Sequence, residues 1–152
     1  MPPHDPADFV VSFVKTFKAL QDALTRALAE YGVHPGQNMM LSALADQDGR
    51  TPGELAGRLG ITGPTVVKAA QRMEAAGLVA RRRDDIDGRL VRIYLTERGR
   101  SVVQPIEDDI RAIGERATAA LTPEQRGTLL TALTTIFETL QAEPRGDPES
   151  HG

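Results

Sequence analysis

Apolar positions recur along this chain at two different spacings, and the spacings divide it into elements. Val10, Phe13, Val14, Phe17, Leu20, Leu24, Leu28 and Tyr31 form one helical stripe. It opens on an Asp5-Pro6 cap and runs to about Tyr31, where Gly32 ends it, a length of roughly 35 Å at 1.5 Å per residue. A second helix is predicted from Pro35, carrying Met39, Met40, Leu41 and Leu44 before Asp48-Gly49. Thr51, Pro52 and Glu54 then write a capping box for a short helix with Leu55 and Leu59 on one face. Gly60 breaks it, and Ile61 is expected to pack beneath the turn. The next helix spans about Thr62 to Ala76, buries Val66, Ala69, Ala70 and Met73, and is closed by Gly77.

At Leu78 the period drops to two. Leu78–Arg83 and Leu90–Leu95 read as paired strands around the polar tip Asp84-Asp85-Ile86-Asp87-Gly88-Arg89. Val91, Ile93 and Leu95 alternate with Arg92 and Tyr94, as in a half-buried strand. Helical spacing then returns with Val102, Val103, Ile106, Ile110, Ile113 and Ala117. A Thr122-Pro123-Glu124-Gln125 capping box opens the last helix, striped by Leu129, Leu130, Leu133, Ile136, Phe137 and Leu140. The predicted class is mainly α with a small two- or three-stranded β wing: a winged helix-turn-helix between long terminal helices.

Charge changes how this pattern is read. The net charge is −3, the wrong sign for a nucleic-acid binder until it is divided. Residues 50–100 hold eleven Lys/Arg against six Asp/Glu, net +5, which leaves seven against fifteen, net −8, elsewhere. A basic middle between acidic ends directs one face toward phosphate and keeps the others away. The polar positions of the second module helix suit a major groove. Thr62, Gly63, Pro64 and Thr65 stand at its start, where the backbone and hydroxyls meet phosphates or bases. Lys68 and Arg72 supply charge or read guanine, Gln71 reads adenine, and Val67 meets a thymine methyl. In the ribbon Arg82 and Arg89 are the candidate contacts, Arg89 in the minor groove, whose negative potential draws arginine.

Several runs together resemble the multiple antibiotic resistance regulator (MarR) family: Ile61-Thr62-Gly63-Pro64-Thr65-Val66-Val67, Met73-Glu74-Ala75-Ala76-Gly77-Leu78-Val79, Asp87-Gly88-Arg89 and Leu95-Thr96-Glu97-Arg98-Gly99. The resemblance covers nearly the whole chain. The Asp-x-Arg wing followed by Leu-Thr-x-x-Gly is its most specific part. The chain departs from the family at Gly88, where a basic residue is frequent, and at Asp85, where proline is frequent, so its wing tip is more acidic. The resemblance implies a transcriptional regulator, acting as a repressor on double-stranded DNA. It implies a homodimer whose terminal helices interlock through Val10, Val14, Leu129, Leu133, Ile136, Phe137 and Leu140. Asp87 would orient wing arginines. A small, aromatic effector would lodge in a crevice bounded by Phe13, Phe17, His34, Gln37 and Met40 and change the spacing of the recognition helices. The organisation that follows is a dimerisation helix in 1–33, the DNA-binding module in 34–96, dimerisation helices in 97–142 and a mobile tail in 143–152.

Each assignment has a plainer competitor. The cluster of Phe9, Phe13 and Phe17 weighs toward packing over a pocket wall. His34 before a helix weighs toward a local hydrogen bond. The terminal stripes are met either by a second copy or by an intramolecular three-helix core. The module itself could serve protein–protein contact without DNA, but such modules usually lack the basic outer face of Thr62–Arg72. No cysteine is present, which excludes disulfides, thiolate metal sites and thiol-based sensing. His4, His34 and His151 are not paired at ligand spacing, so neither metal nor cofactor is expected. No phosphate loop, nucleophile elbow or His-Glu-x-x-His occurs, so an enzyme is not expected. No apolar run approaches the ~20 residues of a membrane helix, and Met1-Pro2-Pro3-His4-Asp5 lacks a signal-peptide pattern. A cytoplasmic location is expected.

Overall fold

The computed structural model describes residues 4–143. The tail beyond Glu143 and the first three residues lie outside the described residues. Six helices and two strands follow in order: α1 (Pro6–Ala29), α2 (Gln37–Asp46), α3 (Pro52–Leu59), α4 (Gly63–Ala75), β1 (Val79–Arg83), β2 (Val91–Leu95), α5 (Glu97–Ala117) and α6 (Pro123–Ala142).

The local signals behave as capping chemistry requires. Asp5 accepts the Ala7 N–H at 2.8 Å and opens α1. Thr51 and Glu54 exchange both bonds of a capping box at α3, and Thr122 and Gln125 do the same at α6. Helix α2 departs from expectation, starting at Gln37 rather than Pro35. The intervening residues form a turn in which Gln37 Oε1 accepts the His34 N–H and Asn38 Oδ1 accepts the Gly36 N–H. Gly36, at φ 95°, cannot be helical.

The chain clusters into two compact units, one ending at Ile113 and one beginning at Gly114. In the first, Leu41, Leu44, Leu55, Val66, Met73, Leu78 and Ile93 are completely or almost completely buried, each such side chain contributing about 1.5–3 kcal/mol of transfer free energy. These residues come from α2, α3, α4 and the ribbon, so the core lies inside the helix-turn-helix and its wing. Leu28 and Ile106 join it from α1 and α5. Ile61, expected beneath the turn after Gly60, does not: it is 38% exposed and lines a cavity with Leu59 and Pro64.

Strands β1 and β2 pair antiparallel, with Val79 opposite Leu95, Arg81 opposite Ile93 and Arg83 opposite Val91. A single bridge from Arg50 to Ile93 is all that remains of a third strand. The apolar stripe of α1 stays on the surface, with Val10, Phe13, Val14 and Phe17 about half exposed. In the second unit, α6 buries no residue; Leu130, Phe137 and Leu140 are all more than half exposed.

Candidate nucleic-acid interface

The register of α4 decides which of its side chains are available. Val66, Ala70 and Met73 are buried, which turns Thr62, Thr65, Val67, Lys68, Gln71 and Arg72 outward. Pro64 is also exposed and Gly63 half-buried. Thr62 stands at the N-cap with cap-like dihedrals, but its hydroxyl bonds the Thr65 hydroxyl at 2.8 Å and takes no first-turn N–H. The start of α4 therefore presents backbone donors and the positive end of its dipole to the outside, an arrangement suited to a phosphate.

The wing is held to α4 and to the turn before α3. Arg81 pairs with Glu74 of α4 at 3.0 Å, and its backbone N–H donates to the same carboxylate. Those bonds hold the Glu74 carboxyl below its ordinary pKa. Arg82 and Arg92 are directly opposite in the ladder, a repulsive pairing unless each charge has a separate outlet. Arg82 stacks over the Tyr94 ring at 4.2 Å from its centroid. Arg92 donates to Asp84 at 2.9 Å and to the Gly49 carbonyl at 2.8 Å. The Asp84 carboxyl is pushed below the usual range, first by the Ile86 N–H it accepts and then by Arg92. Arg89 is exposed beside the tip and makes no ion pair with any described residue.

Asp87 has a structural role, but not through a guanidinium: it accepts the Arg89 backbone N–H at 3.1 Å and shapes the turn, while Asp84 orients the Arg92 guanidinium and Glu74 that of Arg81. Nothing in local spacing distinguishes the two aspartates; only the strand register, which opposes Arg82 to Arg92, could have pointed to Asp84.

Sequence reasoning also missed the junction behind α4. Thr96 donates its hydroxyl to the Gly77 carbonyl at 2.6 Å and its N–H to that of Leu78 at 3.1 Å, while Arg98 donates to the Ala76 carbonyl at 2.8 Å. Asp48 accepts the Leu95 N–H at 2.9 Å and pairs with Arg100. The end of the exposed helix is thus fixed to the start of α5.

Among the crevice residues, His34, Gln37 and Met40 line one cavity of about 450 Å³, bounded also by Leu59, Ile61 and the α4 residues Thr65, Lys68 and Arg72. Phe13 and Phe17 do not line it; they lie on the exposed face of α1. Of the interface residues named on α1 and α6, Val10, Val14, Leu129, Leu133, Phe137 and Leu140 are exposed and Ile136 is half-buried.

A family model described as MarR family matches residues 31–90. The chain is 32% identical over 108 residues to the HTH-type transcriptional repressor Mb2911 of Mycobacterium bovis, an alignment covering 70% of this chain and 78% of that one. The chain belongs to the MarR family. This MarR-family protein is a transcriptional regulator rather than an enzyme. It is also 26% identical over 119 residues to the repressor MdtR of Bacillus subtilis, across 78% of this chain and 77% of MdtR. Its fold matches the repressor CouR, solved bound to a 23-mer DNA duplex, with a TM-score of 0.74 and 27% identity over 82% of this chain and 89% of CouR. The shared architecture is the winged helix described above. No helix among the described residues is long and apolar enough to cross a membrane.

Proposed function

We propose that this regulator binds a pseudo-palindromic operator in double-stranded DNA as a homodimer and represses transcription from the cytoplasm. Helix α4 enters the major groove with Thr62, Gly63, Pro64 and Thr65 at the phosphates and Val67, Lys68, Gln71 and Arg72 at the base edges. Arg89, assisted by Arg82, lies over the minor groove. The observation that carries this reading is the division of α4 into a face locked in the core by Val66, Ala70 and Met73 and an opposite face that presents Thr65, Val67, Lys68, Gln71 and Arg72 outward. The likeness to CouR, solved on a DNA duplex, supports it.

Dimerisation is assigned to α1 and to 97–142, and DNA binding to 34–96. The support is physical: exposed apolar stripes this long on α1 and α6 are what an obligate two-fold interface buries. Two copies of α4 would then meet half-sites about 34 Å apart. The effector is a small aromatic acid in the cavity of His34, Gln37 and Met40, whose apolar lining and neighbouring Lys68 and Arg72 suit a ring bearing an anion. It regulates only by favouring one arrangement of the dimer over the other.

An electrophoretic titration against the DNA upstream of the protein's own gene tests this. Specific complexes are expected on the order of 10⁻⁸ M or tighter, with far weaker binding to a scrambled duplex of equal length. Equal affinity for both duplexes at the same salt would remove sequence-specific regulation as the function.

A further inference from the structure

Five arginines crowd the wing, and Arg92 differs from the rest in what it joins. Its side chain is 29% exposed and that of its partner Asp84 only 13%. One guanidinium nitrogen holds Asp84 at the tip and another holds the Gly49 carbonyl in the turn before α3. The second oxygen of Asp84 accepts the Ile86 N–H at 2.9 Å, which fixes the apex of the tip. A continuous line of bonds thus runs from the body of the module, through β2, to the end of the wing. The backbone anchor of β2 lies further in, where Ile93 bonds Arg50 and Gly49. Between that anchor and the tip, Arg92 supplies the tie to the body. Arg89 sits three residues beyond it, exposed and without an ion-pair partner among the described residues.

We propose that Arg92, through Asp84 and Gly49, is a positioning residue that sets where Arg89 reaches relative to α4, and does not itself contact DNA. Its charge is already matched by a carboxylate, so it offers little to a phosphate. What it fixes is the distance between a major-groove helix and a minor-groove arginine, which must be satisfied together on one duplex. The inference rests on the DNA-binding reading above.

The test is a double-mutant cycle on the full chain with Arg92→Gln and Arg89→Ala, reading operator affinity by fluorescence anisotropy across a salt series. Each single variant is expected to weaken operator binding by about tenfold, within the range of couplings between residues acting as one unit. The double variant should bind as Arg89→Ala does. In the Arg89→Ala background, Arg92→Gln should leave the slope of log affinity against log salt unchanged, since no phosphate contact is removed. Additive losses would show Arg92 acting independently of Arg89, and a slope shallower by about 0.9 would show it touching phosphate directly; either overturns the proposal. If Arg92→Gln does not fold, Asp84→Asn replaces it in the same cycle; non-additivity with Arg89→Ala supports the proposal and additivity overturns it. A wild-type chain with no operator preference would instead remove the DNA-binding reading itself, and this inference with it.

Discussion

Gly99 offers the sharpest energetic test of how the recognition helix is held. It lies buried in the first turn of α5, where a Cβ would overlap the Leu78 carbonyl and stand 3.3 Å from a Leu95 methyl. A backbone oxygen cannot swing aside as a flexible side chain can. Gly99→Ala must therefore lift α5 away from the α4–β1 junction. That costs the Thr96 N–H bond to Leu78 and the Thr96 hydroxyl bond to Gly77, about 1 kcal/mol each. Strain and repacking add about 2 kcal/mol, and the better helix propensity of alanine returns up to about 1 kcal/mol. The balance is a loss of about 3 kcal/mol, which for a chain of this length lowers Tm by about 6–12 °C. Urea denaturation followed by circular dichroism, at one fixed protein concentration, measures it. Gly57→Ala in α3 is the matched control, because a Cβ there meets nothing within 4 Å and should stabilise by about 0.5–1 kcal/mol. A Gly99→Ala midpoint equal to wild type, or raised like that of Gly57→Ala, would refute the claim that α5 is pressed against the end of α4.

Replacing Leu133 and Phe137 together with aspartate should leave a 16.4 kDa monomer by light scattering and abolish tight operator binding; a wild-type chain already monomeric in dilute solution would rule out the terminal interface. The wing should resist moderate acid. Glu74 and Asp84 have depressed folded-state pKa values, so their contribution is complete above the unfolded carboxylate value near ~4 and disappears as pH falls through the lower folded values. Amide exchange in β1 and β2, corrected for its intrinsic pH dependence, should therefore match between pH 7 and pH 5.5 and accelerate only in stronger acid; loosening at pH 6 would contradict these pairings. Tyr31 titrates in the opposite sense. The bond it donates to Asp109 raises its pKa, so that contact is present below about pH 10 and is lost only as pH rises through the higher folded value. Ultraviolet titration should show a late-ionising step, and Tyr31→Phe should remove it; its persistence in that variant would refute the Tyr31–Asp109 pairing.

What could be read from the sequence and what could not divide along the range of the interactions. Thr51 with Glu54, Thr122 with Gln125, and Asp5 with Ala7 lie within one turn of each other, so residue type and spacing specify the bond. The outward face of α4 was equally legible, because Val66, Ala70 and Met73 fix its rotation about the helix axis. Partnerships across the chain were not. Asp84 and Asp87 look alike until the register opposes Arg82 to Arg92, and the start of α2 moved because Gln37 and Asn38 turn their side chains back onto the preceding loop. Ile61 is expected beneath the turn after Gly60 because an apolar residue there has a core within reach, yet it stands exposed at the cavity edge. Phe13 and Phe17 share a helical face, but that face does not meet the cavity of His34, Gln37 and Met40. Gly99 stands out in the sequence as the end of the Leu-Thr-x-x-Gly run, but the Leu78 carbonyl that requires a glycine there lies 21 residues away and is visible only in the structure.

The most direct test of the account is the affinity of a Lys68→Ala/Arg72→Ala variant for the operator and for a scrambled duplex, at one salt concentration. Loss of most of the operator preference is predicted, about 1–3 kcal/mol for each side chain that reads a base edge, with the melting temperature unchanged because both residues are exposed. Undiminished operator affinity in a folded variant would mean that α4 is not the element that reads the DNA.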